Sequence, residues 1–216
     1  MKVIDCKQGG QEWLLSRLGR PTSSQAHRIL TPKGLKLASG RHAYAYEIHA
    51  AAICGPSTDD DDDGGGNPWM QRGIDMEPET AAWYEFEYGV KCEEVGFCMT
   101  DDGRFGASPD RLIGDDGLAE FKNPSAAKSV GYLLGENKHE HRAQVQTQLW
   151  VTKRKYCDLV IYSPLLPPVV TRYEPEPEWI EKWEPALETF LAELKEGKER
   201  LQEMGLYYYE GVAHED

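Results

Sequence analysis

No two cysteines in the chain stand as Cys-x-x-Cys, and no apolar run approaches the ~20 residues that a bilayer span needs. The cysteines are few and odd in number (Cys6, Cys54, Cys92, Cys98 and Cys157), so any disulfide set would leave one over. Free thiols in a reducing, cytoplasmic setting are the expectation. The opening MKVIDCKQGGQEW lacks the apolar stretch of a secretory signal, and no internal repeat is visible. These absences argue against a membrane protein, a secreted disulfide scaffold and a zinc ribbon. An excess of positive charge is also missing: 24 Lys+Arg against 37 Asp+Glu gives −13, which at first sight disfavours a polyanionic partner.

What is present fits a single folded domain over 1–216. The 216 residues are 40% hydrophobic and 28% charged, enough to bury a core. The charge is uneven along the chain. Residues 1–50 carry eight Lys/Arg and three Asp/Glu, and residues 121–160 carry seven and three, so both segments are basic. Residues 51–120, with four against eighteen, and 161–216, with five against thirteen, hold the acid. Phosphate contacts are local, so two basic segments can form a binding track while the acid lies elsewhere; random surface variation is the competing reading.

Residues 13–30 read as two short helices around a turn at Gly19-Arg20-Pro21, the second capped by Thr22 or Ser23. Residues 41–54 read as a helix. Ser57–Asn67, with five adjacent aspartates followed by glycines, reads as a solvated loop. A helix is expected over 73–88, with Met76, Ala82, Trp83 and Phe86 on its apolar face. Strands are expected at 90–99, 104–114, 117–122, 156–162 and 169–173, with a hairpin turn at Asp115-Asp116-Gly117. Helices over 139–152 and 177–204 complete an α/β or α+β order, the last with an apolar stripe through Ile180, Trp183, Leu187, Phe190, Leu191 and Leu194.

The residues able to carry chemistry are Asp110, Glu120 and Lys122. If 104–114 and 117–122 pair, Asp110 and Glu120 converge at one end of the hairpin, and Glu120 and Lys122 share a face. Two adjacent carboxylates repel unless a cation lies between them, and such oxygen ligands suit Mg²⁺ or Mn²⁺. Lys122 could then hold or deprotonate an attacking water, or stabilise a pentavalent phosphorus. Glu-x-Lys also occurs at Glu136/Lys138, Glu193/Lys195 and Glu196/Lys198, but only Glu120/Lys122 lies on an expected strand. A surface hairpin with a solvated salt bridge is the competing reading. On the helix at 139–152, Gln144 and Gln148 share a face and Gln146 does not. His139 and His141, two apart in a charged loop, read as surface residues.

Pro109-Asp110, nine residues, then Glu120-Phe121-Lys122 resembles the PD-(D/E)xK motif of restriction-endonuclease-like nucleases. More narrowly, the chain resembles the lambda-type (YqaJ-like) phage recombination exonucleases over most of its length. The resemblance rests on Trp13, Arg17-Leu18-Gly19, Thr22, Ser24 and His27; on Arg72-Gly73 followed by Glu77; on Ser108-Pro109-Asp110; on Glu120-x-Lys122; and on Ala143-Gln144-Val145-Gln146 with Trp150, all in the family's order. It implies an α/β restriction-endonuclease-like core, a central mixed sheet flanked by helices. It also implies that Asp110, Glu120, the carbonyl of Phe121 and Glu77 hold catalytic metal, Mg²⁺ with Mn²⁺ able to substitute. Lys122 would orient or activate water, Gln144 would contact that region, and Arg17, Ser24 and Ser108 would bind a terminal 5′-phosphate.

The function so implied is 5′-to-3′ exonuclease action on double-stranded DNA ends, leaving a 3′ single strand for phage-type recombination. A homotrimer, a single-strand annealing partner and a place in the cytoplasm of a phage-bearing bacterium follow from the same resemblance, as does the absence of any membrane role. Two alternatives stay open: a nicking or other endonuclease of the same fold, and a non-catalytic acidic protein that mimics DNA or binds a partner. The second uses the −13 charge but leaves Asp110, Glu120 and Lys122 unexplained.

Overall fold

The computed structural model describes residues 1–55, 68–137 and 139–209. In chain order the first elements are strand β1 (Lys2–Ile4), helix α1 (Gln11–Arg17), a short 3-10 helix (Ser23–Arg28), α2 (Arg41–Cys54) and α3 (Pro68–Tyr88). Five strands follow: β2 (Cys92–Glu93), β3 (Phe97–Met99), β4 (Gly106–Ala107), β5 (Arg111–Ile113) and β6 (Gly117–Lys122). Then come α4 (Ala126–Leu133), α5 (Arg142–Thr152), β7 (Tyr156–Ser163), β8 (Leu166–Tyr173) and α6 (Pro177–Glu203).

The central sheet is mixed, in the order β2-β5-β6-β7-β8, and a small second sheet has the order β1-β3-β4. β5 and β6 form the expected antiparallel hairpin, with Ile113 opposite Gly117 and Gly114 at φ +48° in the turn. β6 and β7 run parallel, Glu120 opposite Leu159. A parallel pair needs a long crossover, and α4 and α5 supply it. β6 is buried on both faces. Ala119 and Phe121 pack with Ala81 and Tyr84 of α3, while Leu118 packs with Val145 and Leu149 of α5. Helices therefore flank the sheet on both sides, the arrangement expected for the α/β class.

Two expected strands are each broken in two. The 90–99 run divides into β2 and β3, which belong to different sheets. Gly96 lies at the break, where an added Cβ would collide with the backbone carbonyls of Ile4 and Cys6. Close passage of β1 past glycine is what redirects the chain. The 104–114 run divides into β4 and β5 around Ser108-Pro109-Asp110, where Pro109 has no N–H to give a ladder. Chain between the two sheets thus carries the Pro-Asp.

The expected apolar face of α3 is displaced. Phe86 is 88% exposed and Ala82 is exposed, whereas Thr80, Ala81 and Tyr84 are buried. Tyr84 packs 6.3 Å from the Phe121 ring and gives its hydroxyl to the buried Asp158, which Arg172 also holds at 2.7–2.8 Å. A tyrosine with a polar partner for its hydroxyl displaces a phenylalanine from the core. The α6 stripe is as expected, with Trp183, Leu187, Phe190 and Leu194 buried together with Trp179 and Ala186. These residues pack with Ala26 of the 3-10 helix, Ile29 just after it, Tyr44 and Ile48 of α2, and Phe105.

All five cysteines are free thiols, as expected. Among the described residues no helix is long and apolar enough to cross a membrane. The expected Ser57–Asn67 loop lies outside the described residues.

Candidate active site

A cleft of about 690 Å³ opens where α3, the end of β6, α4 and the start of α5 meet, lined by Glu77, Phe121, Lys122, Asn123, Ser125, Lys128, Tyr132 and His141 among others. Glu120 lies beneath it, only 1% exposed. Its Oε1 accepts from Lys122 Nζ and from Gln144 Nε2, each at 2.5 Å. Its Oε2 accepts from Gln148 Nε2 at 2.6 Å. Just before β5, Asp110 meets the same strand: its Oδ2 accepts from the backbone N–H of Phe121 at 2.6 Å. The hairpin thus brings Asp110, Glu120 and Lys122 together, as their spacing predicts, and Gln144 joins them from α5.

The electrostatics mark a place that favours positive charge. Burial first, and then the charges of Glu120 and Glu77, push the Asp110 carboxyl well above the ordinary range, although Lys122 and the Phe121 N–H oppose this. Glu77 is also raised, by burial and by Glu120, with Arg111 and Lys122 acting the other way. Burial pulls Lys122 down, but Glu120 and Asp110 outweigh it and the ammonium is held more firmly than usual. A buried carboxyl raised by neighbouring carboxylates is relieved by a cation beside it. The donor set is all oxygen, and Mg²⁺ takes one or two protein carboxylates and completes its shell from water and substrate. Asp110 and Glu120 fit that requirement. Among the described residues no three His, Cys, Asp or Glu side chains are gathered into a ready metal cage; Glu77 faces the same cleft.

Beside Asp110 lies a second polar cluster. The Trp13 indole N–H donates to Ser108 Oγ at 2.8 Å, and the Arg17 guanidinium stacks on the Trp13 ring at 4.2 Å. Arg17 Nη2 reaches Thr22 Oγ1 at 3.4 Å, and Thr22 Oγ1 is 3.3 Å from Ser24 Oγ. Arg17, Ser24 and Ser108, named separately from the sequence, are therefore joined through Trp13 and Thr22. Burial pulls Arg17 below its ordinary value, with Tyr44 opposing. Among the described residues no carboxylate pairs with Arg17. A partly buried guanidinium without a counter-ion, ringed by hydroxyls, has the chemistry to take an anion.

A sequence profile of the YqaJ-like viral recombinase domain matches residues 12–155, which contain every residue of both clusters. The chain belongs to the YqaJ-like viral recombinase family. Among solved structures, an alkaline exonuclease (LHK-Exo) from Laribacter hongkongensis is 34% identical, with a TM-score of 0.79 over 91% of this chain and 98% of its own. The same enzyme in complex with dAMP matches equally well. A phage related exonuclease from Haemophilus somnus 129PT shares the fold at 14% identity, with a TM-score of 0.65 over 86% of this chain and 96% of its own. No curated protein sequence is significantly similar to the chain. The mixed sheet of this family member is thus the restriction-endonuclease-like core that the resemblance implied.

Three features of the site were not read from the sequence. Gln148 bonds Glu120 as directly as Gln144 does; the shared helix face of the two glutamines was the available signal. Gln146 turns away, as expected, to the Glu174 carbonyl and the Glu176 N–H. Trp13 and Thr22 join Arg17, Ser24 and Ser108 into one cluster, although nothing in their type demands it. His141 is not a surface residue: it lines the cleft, and its Nε2 lies 2.8 Å from Tyr132 Oη. Burial, then the charge of Lys122, lowers the His141 pKa from 6.5 to about 4, with Glu140 opposing.

The unfolded chain therefore takes up a proton on His141 near pH 6.5 that the folded protein refuses until about pH 4. Its contribution is intact above pH 6.5 and is lost progressively as pH falls toward 4. Urea unfolding at pH 7.5 and at pH 5 should show a smaller acid loss for His141→Gln than for the parent. An equal loss in both would show that other groups set the acid limb.

Proposed function

We propose that the protein is a divalent-metal-dependent exonuclease, a single nuclease domain that degrades one strand of double-stranded DNA from its 5′ end and leaves a 3′ single strand for phage-type recombination. The observation that carries this reading is the adjacency of the two clusters: Ser108, bonded into the Arg17 cluster, stands two residues from Asp110, bonded onto β6. One cluster suits a terminal phosphate and the other suits a metal and a scissile phosphate. Similarity to an alkaline exonuclease, at 34% identity, supports the same reaction class.

In this reading Asp110, Glu120 and the carbonyl of Phe121 hold Mg²⁺, with Mn²⁺ able to substitute, and Glu77 completes the acidic cluster. The metal, when bound, lowers the pKa of its water and offsets charge on the phosphate. Lys122 Nζ, kept as an ammonium by Glu120 and Asp110, orients the attacking water and places positive charge beside the pentavalent phosphorus. Gln144 and Gln148 hold Glu120. Arg17, Ser24 and Ser108 take the 5′-phosphate, which fixes the direction of digestion. A homotrimer enclosing the duplex, an annealing protein that receives the 3′ strand, and action in the cytoplasm of a bacterial host belong to the same proposal. Acid concentrated in 161–216 would then face away from DNA.

Linear and closed circular duplexes, incubated with Mg²⁺, separate this reading from its rivals. An exonuclease shortens only the linear form, from a 5′-phosphate end, and stops when EDTA removes the metal. Cutting of the circle would indicate an endonuclease, and inertness of both forms would favour a non-catalytic DNA mimic.

A further inference from the structure

Gln148 is a fully buried polar side chain facing an acid that is itself almost fully buried. A carboxylate removed from water is tolerated only when its oxygens are hydrogen-bonded. The three donors on Glu120 are not equivalent. Those on Oε1 are Lys122, which lines the cleft and is 30% exposed, and the partly exposed Gln144. Among the described residues the donor on Oε2 is Gln148 alone, at 2.6 Å. The other end of the same amide is also occupied: Cys157 Sγ of β7, buried, lies 4.0 Å from Gln148 Oε1. Burial raises the Cys157 pKa well above its ordinary value, so the thiol keeps its proton and acts as the donor. An amide is the side chain that can give a proton to a carboxylate at one end and accept one from a thiol at the other. Gln148 sits on α5 one turn from Gln144, so the same helix holds both oxygens.

From this asymmetry we infer that Gln148 is a positioning residue: it fixes the inner oxygen of Glu120 from beneath, so that Oε1 is presented toward the cleft as the metal-facing oxygen. The inference rests on the metal-dependent reading above. The exposed donors Lys122 and Gln144 are free to exchange partners when metal and DNA enter, whereas Gln148 has nowhere else to point. Outer partners of this kind typically govern metal affinity by 10–100-fold, roughly, without touching the metal.

The test is Mn²⁺ binding, followed by EPR of the free ion, in the parent protein, Gln148→Met and Gln146→Met. Methionine keeps the length but cannot donate; Gln146 serves as the control because it bonds only the Glu174–Glu176 segment. The Mn²⁺ Kd of Gln148→Met should rise about 10-fold or more, and kcat on linear duplex should fall while KM for DNA stays within about 2-fold. Gln146→Met should bind Mn²⁺ like the parent. If Gln148→Met does not fold by circular dichroism, Gln148→Asn, an amide too short to reach, is measured in its place with the same expectation. A folded Gln148 variant with the parent's Mn²⁺ Kd overturns the positioning role and leaves the nuclease reading standing. A parent protein that takes up no Mn²⁺ overturns both.

Discussion

Lys122→Ala is expected to reduce the rate of strand shortening on 5′-phosphorylated linear duplex by about 10³-fold, equivalent to about 4 kcal/mol of transition-state stabilisation. The size follows from where the ammonium sits. It is held at 2.5 Å on Glu120, in a pocket where Glu120 and Asp110 keep it charged despite burial. Removing it takes a fixed positive charge from a partly dehydrated site, where such a charge counts for far more than in water. It also strips Glu120 of one donor, so some of the loss will come from a disturbed carboxylate. Lys195→Ala is the matched control, because Glu193/Lys195 has the same spacing on α6, where Glu193 pairs with Arg41 and Lys195 with Glu199. Single-turnover measurements at saturating DNA separate chemistry from binding. More than a tenth of the parent rate in Lys122→Ala would remove this lysine from the mechanism.

Arg17→Ala is expected to lower kcat/KM on 5′-phosphate ends by about 100-fold, about 2.7 kcal/mol, and to leave 5′-hydroxyl ends nearly unchanged. The guanidinium lies over Trp13 with Thr22 as its hydrogen-bond partner and has no carboxylate among the described residues. In the proposed function a phosphate dianion completes it. Arg17→Lys should recover only part of the loss, because a single ammonium cannot present two parallel donors while stacking on an indole. The decisive quantity is the ratio between the two kinds of end, which a merely destabilised protein would leave untouched. An equal fall on both ends would assign Arg17 a packing role.

The chemistry was easier to read in the sequence than the path of the chain that supports it. Asp110, Glu120 and Lys122 could be placed together because hairpin pairing and strand alternation decide which residues share a face, and those periodicities are local; Gln144 joined them only through the family resemblance. The division of 90–99 and 104–114 between two sheets was not local. It depends on β1, from the other end of the domain, passing against Gly96. The α3 face was misjudged for a similar reason: Phe86 is more apolar than Tyr84, but only Tyr84 finds Asp158 across the sheet. α4 escaped notice because it is eight residues long, though Ser125 caps it by accepting from Lys128 N–H. His141 looked like a loop residue because the sequence shows its charged neighbours and not Tyr132, which stacks on it at 6.1 Å. The joining of Arg17, Ser24 and Ser108 required the family pattern, since Trp13 reaches Ser108 across 95 positions.

The break between β4 and β5 has one more consequence. Ser108 and Asp110 sit on a single stretch of backbone that passes from the small sheet to the large one, and each is pinned at its own side. Two residues of chain can extend no further than ~7 Å, so in the proposed reading the residues that anchor the end of a strand and those at its scission cannot drift apart. The main chain would then act as a ruler about one nucleotide long. Neither end of that ruler is proposed to read a base, so the stride expected along DNA is set by backbone geometry rather than by sequence.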